Sequence, residues 1–133
     1  MSREERFGTR DLTYSAWHRT LDDDLTYIDI DGLEYCRRCR AGLALLELAQ
    51  DVGQAFKATP VIRKHAEAAG IPAYLAFYKA NGKGVESFRI AQLWPKYTDL
   101  ISMTPTDYAD FLRGLRAAHH CVALAARDRS VRR

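Results

Sequence analysis

Residues 43–78, LALLELAQDVGQAFKATPVIRKHAEAAGIPAYLAFY, decide the fold. Leu43 to Leu48 is a continuous apolar run broken only by Glu47, the pattern of a central strand covered on both faces. Thr59-Pro60 reads as a helix start: threonine can accept a backbone hydrogen bond as the cap, and proline occupies the first turn without losing a needed donor. The helix is expected to run to Ala69, with Gly70 supplying the left-handed position that ends it. Ile71-Pro72 then leads into Ala73 to Tyr78, an aliphatic and aromatic run suited to a second buried strand. A strand, a helix and a strand in that order predict parallel pairing through a right-handed crossover.

Upstream, Thr26 to Tyr35 alternates as a strand, with Tyr27, Asp29 and Asp31 on one side and Ile28 and Ile30 on the other, until Gly32 permits a bend. Residues 36–42, CRRCRAG, read as a hairpin connection to the strand that carries Glu47. Downstream, Asn81-Gly82-Lys83-Gly84 is a turn, and Val85 to Leu93 alternates as an antiparallel edge strand stopped by Pro95. Thr104-Pro105-Thr106-Asp107 is a capping-box start, after which Tyr108, Phe111, Leu112, Leu115, His119 and Val122 recur at helical spacing. A short helix over Leu12 to Leu21, capped by Asp11, completes the elements. Together they predict an α/β fold, a central mixed β-sheet flanked by helices.

The 133 residues suit one domain, 1–133, since a single core serves chains of about 100–150 residues. With 47% apolar and 28% charged residues the composition is that of an ordinary globular protein. No apolar run approaches the roughly 18–20 residues of a membrane span, and MSREERFGTR is charged where a secretory signal needs an apolar stretch. The expectation is a cytoplasmic protein with no membrane partner. The net charge of +3 is unevenly spread, with Arg113, Arg116, Arg127, Arg129, Arg132 and Arg133 toward the end. The basic C-terminal tail, about 127–133, is suited to phosphate backbones through counterion release.

Hydrolysis of a phosphodiester by a divalent ion needs hard oxygen ligands at one point. Asp29, Asp31 and Glu47 are the candidates, because hairpin-connected strands bring either aspartate beside the glutamate. Carboxylates gathered in a half-buried crevice repel one another unless a cation lies between them.

This order of parts resembles the PD-(D/E)XK superfamily of restriction-endonuclease-like nucleases, in particular small phage-type proteins with an Asp-Ile-Asp strand before a glutamate-bearing strand. The resemblance covers about half the chain. It rests on 27–35, YIDIDGLEY, on 44–49, ALLELA, and on the helix and strand through Tyr78. It implies a restriction-endonuclease-like sheet with Mg²⁺ (or Mn²⁺) held by an aspartate of the first motif and Glu47, and a metal-dependent nuclease acting on DNA. The family pattern places a lysine at position 49, where this chain has Ala49. Members of the superfamily also supply that lysine from the next helix. Here Lys57, just before the Thr59-Pro60 start, is placed to reach Glu47, with Lys64 as the other candidate, and Gln54 is expected to contact phosphate or water. The catalytic set is then Asp31, Glu47, Lys57 and Asp29. The alternative is a catalytically inactive nuclease fold acting as a DNA-binding module or as an inhibitor of a host protein. A homodimer is compatible with either.

Trp17-His18-Arg19 offers an aromatic platform and a phosphate contact near the acids, and Arg37 and Arg38 a phosphate-facing turn. Cys36-x-x-Cys39 has zinc-knuckle spacing, which Cys121 with His119 or His120 would complete. A second CxxC pair is absent, so the sequence weighs against structural Zn²⁺. His65 and His119 read as packing or hydrogen-bonding residues. No Ser/His/Asp set, Walker loop or dinucleotide fingerprint is present.

Overall fold

The computed structural model describes residues 11–121. The basic tail over 127–133 and Val122 of the predicted stripe lie outside them. The described chain forms α1 (Thr13–His18), β1 (Gly32–Tyr35), β2 (Gly42–Gln50), α2 (Pro60–Ala69), β3 (Ala73–Ala80), β4 (Val85–Trp94), β5 (Ile101–Met103) and α3 (Pro105–Ala117). The five strands make one mixed sheet in sequence order, flanked by helices. β2 and β3 are parallel, joined through α2 as residues 43–78 predict, and the other neighbours are antiparallel.

α2 begins at Pro60 and ends on Gly70 in the left-handed region at φ 72°. The expected cap is different: Thr59 precedes the helix, but its hydroxyl makes no capping bond and is buried without a hydrogen-bond partner. Leu45, Ala73, Leu75, Phe77 and Leu93 of the sheet pack with Ile62 and Ala66 of α2 into the main core. Side chains alternate along a strand, so Glu47, between Leu45 and Ala49 of that cluster, shares the face that α2 covers. Burying each of the large apolar groups here contributes about 1.5–3 kcal/mol. This face is the rigid floor of the site described below.

α3 contacts β2, β4 and β5. Its capping box is the one read from sequence, with the Thr104 hydroxyl accepting from the Asp107 amide and the Asp107 carboxylate accepting from the Thr104 amide. Tyr108 stacks on Phe88 at 4.1 Å between ring centroids, and Phe111 meets Tyr74 edge-on at 4.8 Å. Burial raises the Tyr108 phenol to about 12.

Four further expectations are corrected. The alternating stretch from Thr26 forms a strand only over Gly32–Tyr35; residues 26–31 run outside the paired ladder with exposed side chains. Apolar alternation is satisfied only when a face is covered, and Tyr27, Ile28 and Ile30 remain about half exposed. β4 is interior to the sheet rather than its edge, because β5 pairs along Phe88–Ile90. β5 has three residues, too few for a period-two signal. The first helix is shorter than Leu12 to Leu21, and α3 stops at Ala117, so His119 lies beyond the helix instead of on its apolar face. Among the described residues no helix is long and apolar enough to cross a membrane.

Candidate functional site

Glu47 lies on β2, and Asp31 directly precedes β1, whose ladder begins where Gly32 pairs with Leu46. The Leu48 amide donates to Asp31 Oδ2 at 3.0 Å, which fixes the exposed aspartate against β2 one residue from Glu47. Glu47 is 8% exposed. Its Oε2 accepts from Lys57 Nζ at 2.6 Å, while Oε1 is buried with no hydrogen-bond partner. An acceptor buried without a partner costs about 1–3 kcal/mol, more when charged. A further donor or a cation would satisfy such an atom.

Lys57 stands where sequence reasoning placed it. It comes from the segment between β2 and α2, and Ala49 packs partly buried against the core. That segment is braced by Arg89 of β4, whose guanidinium donates to both Asp51 oxygens at 2.8 and 3.0 Å and to the Gln54 carbonyl at 2.7 Å. The Arg89 hydrogen bonds, helped by the Gly53 amide, hold the Asp51 carboxyl down at about 2. Gln54 closes the same loop: its amide donates to the Gln50 carbonyl and its Oε1 accepts from the Val52 amide. Gln54 is therefore engaged in shaping the loop rather than turned toward a ligand.

Asp29 lies before β1, outside its ladder. It is exposed and accepts from the Tyr27 hydroxyl at 2.7 Å. Among the described residues the metal-competent groups of three or more reduce to Cys36, Cys39, His119 and Cys121, so Asp29, Asp31 and Glu47 do not gather as a trio. Trp17 and His18 join Tyr14 and Tyr27 in an aromatic cluster, with the His18 and Tyr27 rings 5.3 Å apart. Through Tyr27 this cluster is tied to Asp29. Arg19, Arg37, Arg38 and Lys64 are exposed. His65 hydrogen-bonds the Val61 carbonyl within its own helix, as expected of a structural histidine.

One feature was missed from sequence and a second was given too little weight. Phe56 and Tyr97, 6.4 Å apart, are both about half exposed, and Arg63 lies over the Tyr97 ring at 4.4 Å. They border a cavity that Leu75 and Leu93 also line. Leu75 is the register partner of Glu47 on β3, and Phe56 precedes Lys57 in the chain. The FK dipeptide at 56–57 was the only available signal. The second feature is the cysteine cluster, which sequence reasoning weighed down for lack of another CxxC pair. In comparisons with known proteins, no family model, no curated protein and no solved structure matches the chain.

Proposed function

We propose that the chain is a metal-dependent nuclease of the PD-(D/E)XK type that hydrolyses DNA phosphodiester bonds, with Asp31 and Glu47 holding Mg²⁺ or Mn²⁺. The observation that carries this reading is the Glu47 carboxylate: one oxygen on Lys57, the other buried and unpartnered, on the strand position where the family pattern puts its metal ligand. The ion, when bound, activates water and neutralises charge on the phosphate. Lys57 supplies the ammonium that the pattern expects two residues after the glutamate. From the loop it donates to the attacking water or the phosphate oxygens. The Arg89 brace holds this lysine in place. Phe56 and Tyr97 offer faces on which unpaired bases can stack, with Arg63 adding cation–π character.

Ala49 favours a second reading, the non-cleaving scaffold, in which the Lys57–Glu47 pair is only an ion pair that closes the loop. Incubating single- and double-stranded DNA with the full-length protein and Mg²⁺ or Mn²⁺ separates the two. Cleavage that needs the ion and disappears in Glu47→Gln supports the enzyme. Intact DNA on every substrate, or cleavage indifferent to Glu47→Gln, sinks it.

A further inference from the structure

The turn after β1 and the chain just beyond α3 meet at one point. Sγ of Cys36 lies 3.4 Å from Sγ of Cys121, and Sγ of Cys39 lies 3.1 Å from Nε2 of His119. All four ligand atoms lie within 4.8 Å of one another. Cys36 is fully buried and Cys39 nearly so, while His119 and Cys121 are half-buried. The cysteines are free thiols. Thiols are weak hydrogen-bonding groups, so mutual hydrogen bonding gives little reason for three of them and an imidazole to converge from residues 85 apart in sequence.

A tetrahedral ion gives a stronger reason. With Zn–S near 2.3 Å and Zn–N near 2.0–2.1 Å, the ligand atoms of such a site sit roughly 3.5–3.8 Å apart, inside the range found here. We propose that Cys36, Cys39, His119 and Cys121 bind one zinc ion as a closed structural site. Three soft thiolates and a borderline imidazole select zinc over hard ions, and four protein ligands leave no position open for chemistry.

The local backbone is shaped for this. Within 36–42 the Cys36 amide donates to the Ala41 carbonyl and the Arg40 amide to the Cys36 carbonyl, closing a tight reversal with Arg40 in the left-handed region at φ 70°. The reversal turns the Cys39 backbone N–H toward the Cys36 sulfur. Three thiolates on one Zn²⁺ leave one negative charge, which Arg37, Arg38 and Arg40 on the same turn offset. The site would staple the β1–β2 connection to the end of α3. It stands independently of the nuclease reading, because none of its ligands belongs to the Asp31–Glu47 set.

The test is the metal content of the full-length protein, purified under reducing conditions from zinc-supplemented medium, together with the visible spectrum after Co²⁺ replacement. One zinc per chain, and a cobalt spectrum with thiolate charge transfer and tetrahedral bands, are expected. His119→Cys should keep the metal, His119→Ala and Cys39→Ser should lose it, and Glu47→Gln should leave the content unchanged. Should the ligand variants fail to fold, the native protein's metal content and cobalt spectrum still decide. Protein with only trace zinc and no thiolate–cobalt band overturns the proposal, as does a Cys36–Cys121 disulfide in metal-free native protein or zinc that disappears in Glu47→Gln.

Discussion

Glu47 and Lys57 share a 2.6 Å contact, but their environments differ: the lysine side chain is 41% exposed and the glutamate 10%. Desolvation therefore falls on the acid, and because the exposed lysine can return to water when the acid is removed, replacing Glu47 by an apolar group of similar volume leaves no buried charge unpaired. Glu47→Met is expected to raise the melting temperature by about 2–6 °C, in proportion to roughly 1 kcal/mol in a domain of this size, while abolishing cleavage. Thermal denaturation beside a nuclease assay checks both halves; a large loss of stability would show that the acid has a purely structural role. Lys57→Ala should lower cleavage by about 10²–10⁴-fold, the usual range for a positioned acid–base group. Adding Ala49→Lys to that variant should restore part of the rate if the ammonium, rather than its route, is what matters. The recoil of that rescue is packing, since Ala49 lies against the core.

The loop between β2 and α2 and the strand β4 act as one unit through Asp51 and Arg89. Asp51 sits below its ordinary value of 3.8, at about 2. A carboxyl whose folded pKa is depressed contributes stability that is complete above the unfolded value and lost as pH falls toward the folded one. The melting temperature should thus drop between about pH 4 and 2, and Asp51→Asn should flatten that limb; parallel curves for the two proteins would deny the pair this role. Arg89→Leu removes the brace that positions Lys57. It is expected to reduce cleavage on the order of 10²-fold, because small misplacements of catalytic groups carry penalties of that size. Limited proteolysis of residues 51–57 reports the same loosening independently of activity.

Across the whole molecule, charge and topology divide the work. The sheet carries Glu47 on the face that α2 covers, and the arginines of the 36–42 turn are exposed. If Arg37 and Arg38 meet phosphate, Arg37→Ala and Arg38→Ala should each flatten the dependence of log affinity on log salt by about 0.9, measured by fluorescence anisotropy with labelled DNA in Ca²⁺ to suppress cleavage. An unchanged slope would remove that turn from the interface. The chain order of the sheet means each strand pairs with its sequence neighbour, so the β1–β2 register, just beyond which Asp31 accepts from the Leu48 amide, depends on the short 36–42 connection.

Residues 43–78 determined the parallel β2–α2–β3 unit by themselves, since Pro60, Gly70 and the flanking apolar runs act locally. The run at β2 is rich in leucine and alanine, which intrinsically favour helix. Its brevity and its turn-forming flanks settle it as a strand, and pairing on both sides completes the choice. Glu47 and Lys57 were legible because an acid in an apolar strand and a lysine just before a helix start are both sequence-local patterns. The start of the β1 ladder at Gly32 rather than at Thr26, the engagement of Gln54 in its own loop, and the lack of a gathered Asp29–Asp31–Glu47 trio among the described residues were decided only by the tertiary structure, because alternation says which residues share a face and not where pairing begins. The same holds for the meeting of Cys36 and Cys39 with His119 and Cys121: CxxC spacing is local, but its completion depends on where α3 ends against the sheet, a distance set by packing that no spacing rule contains.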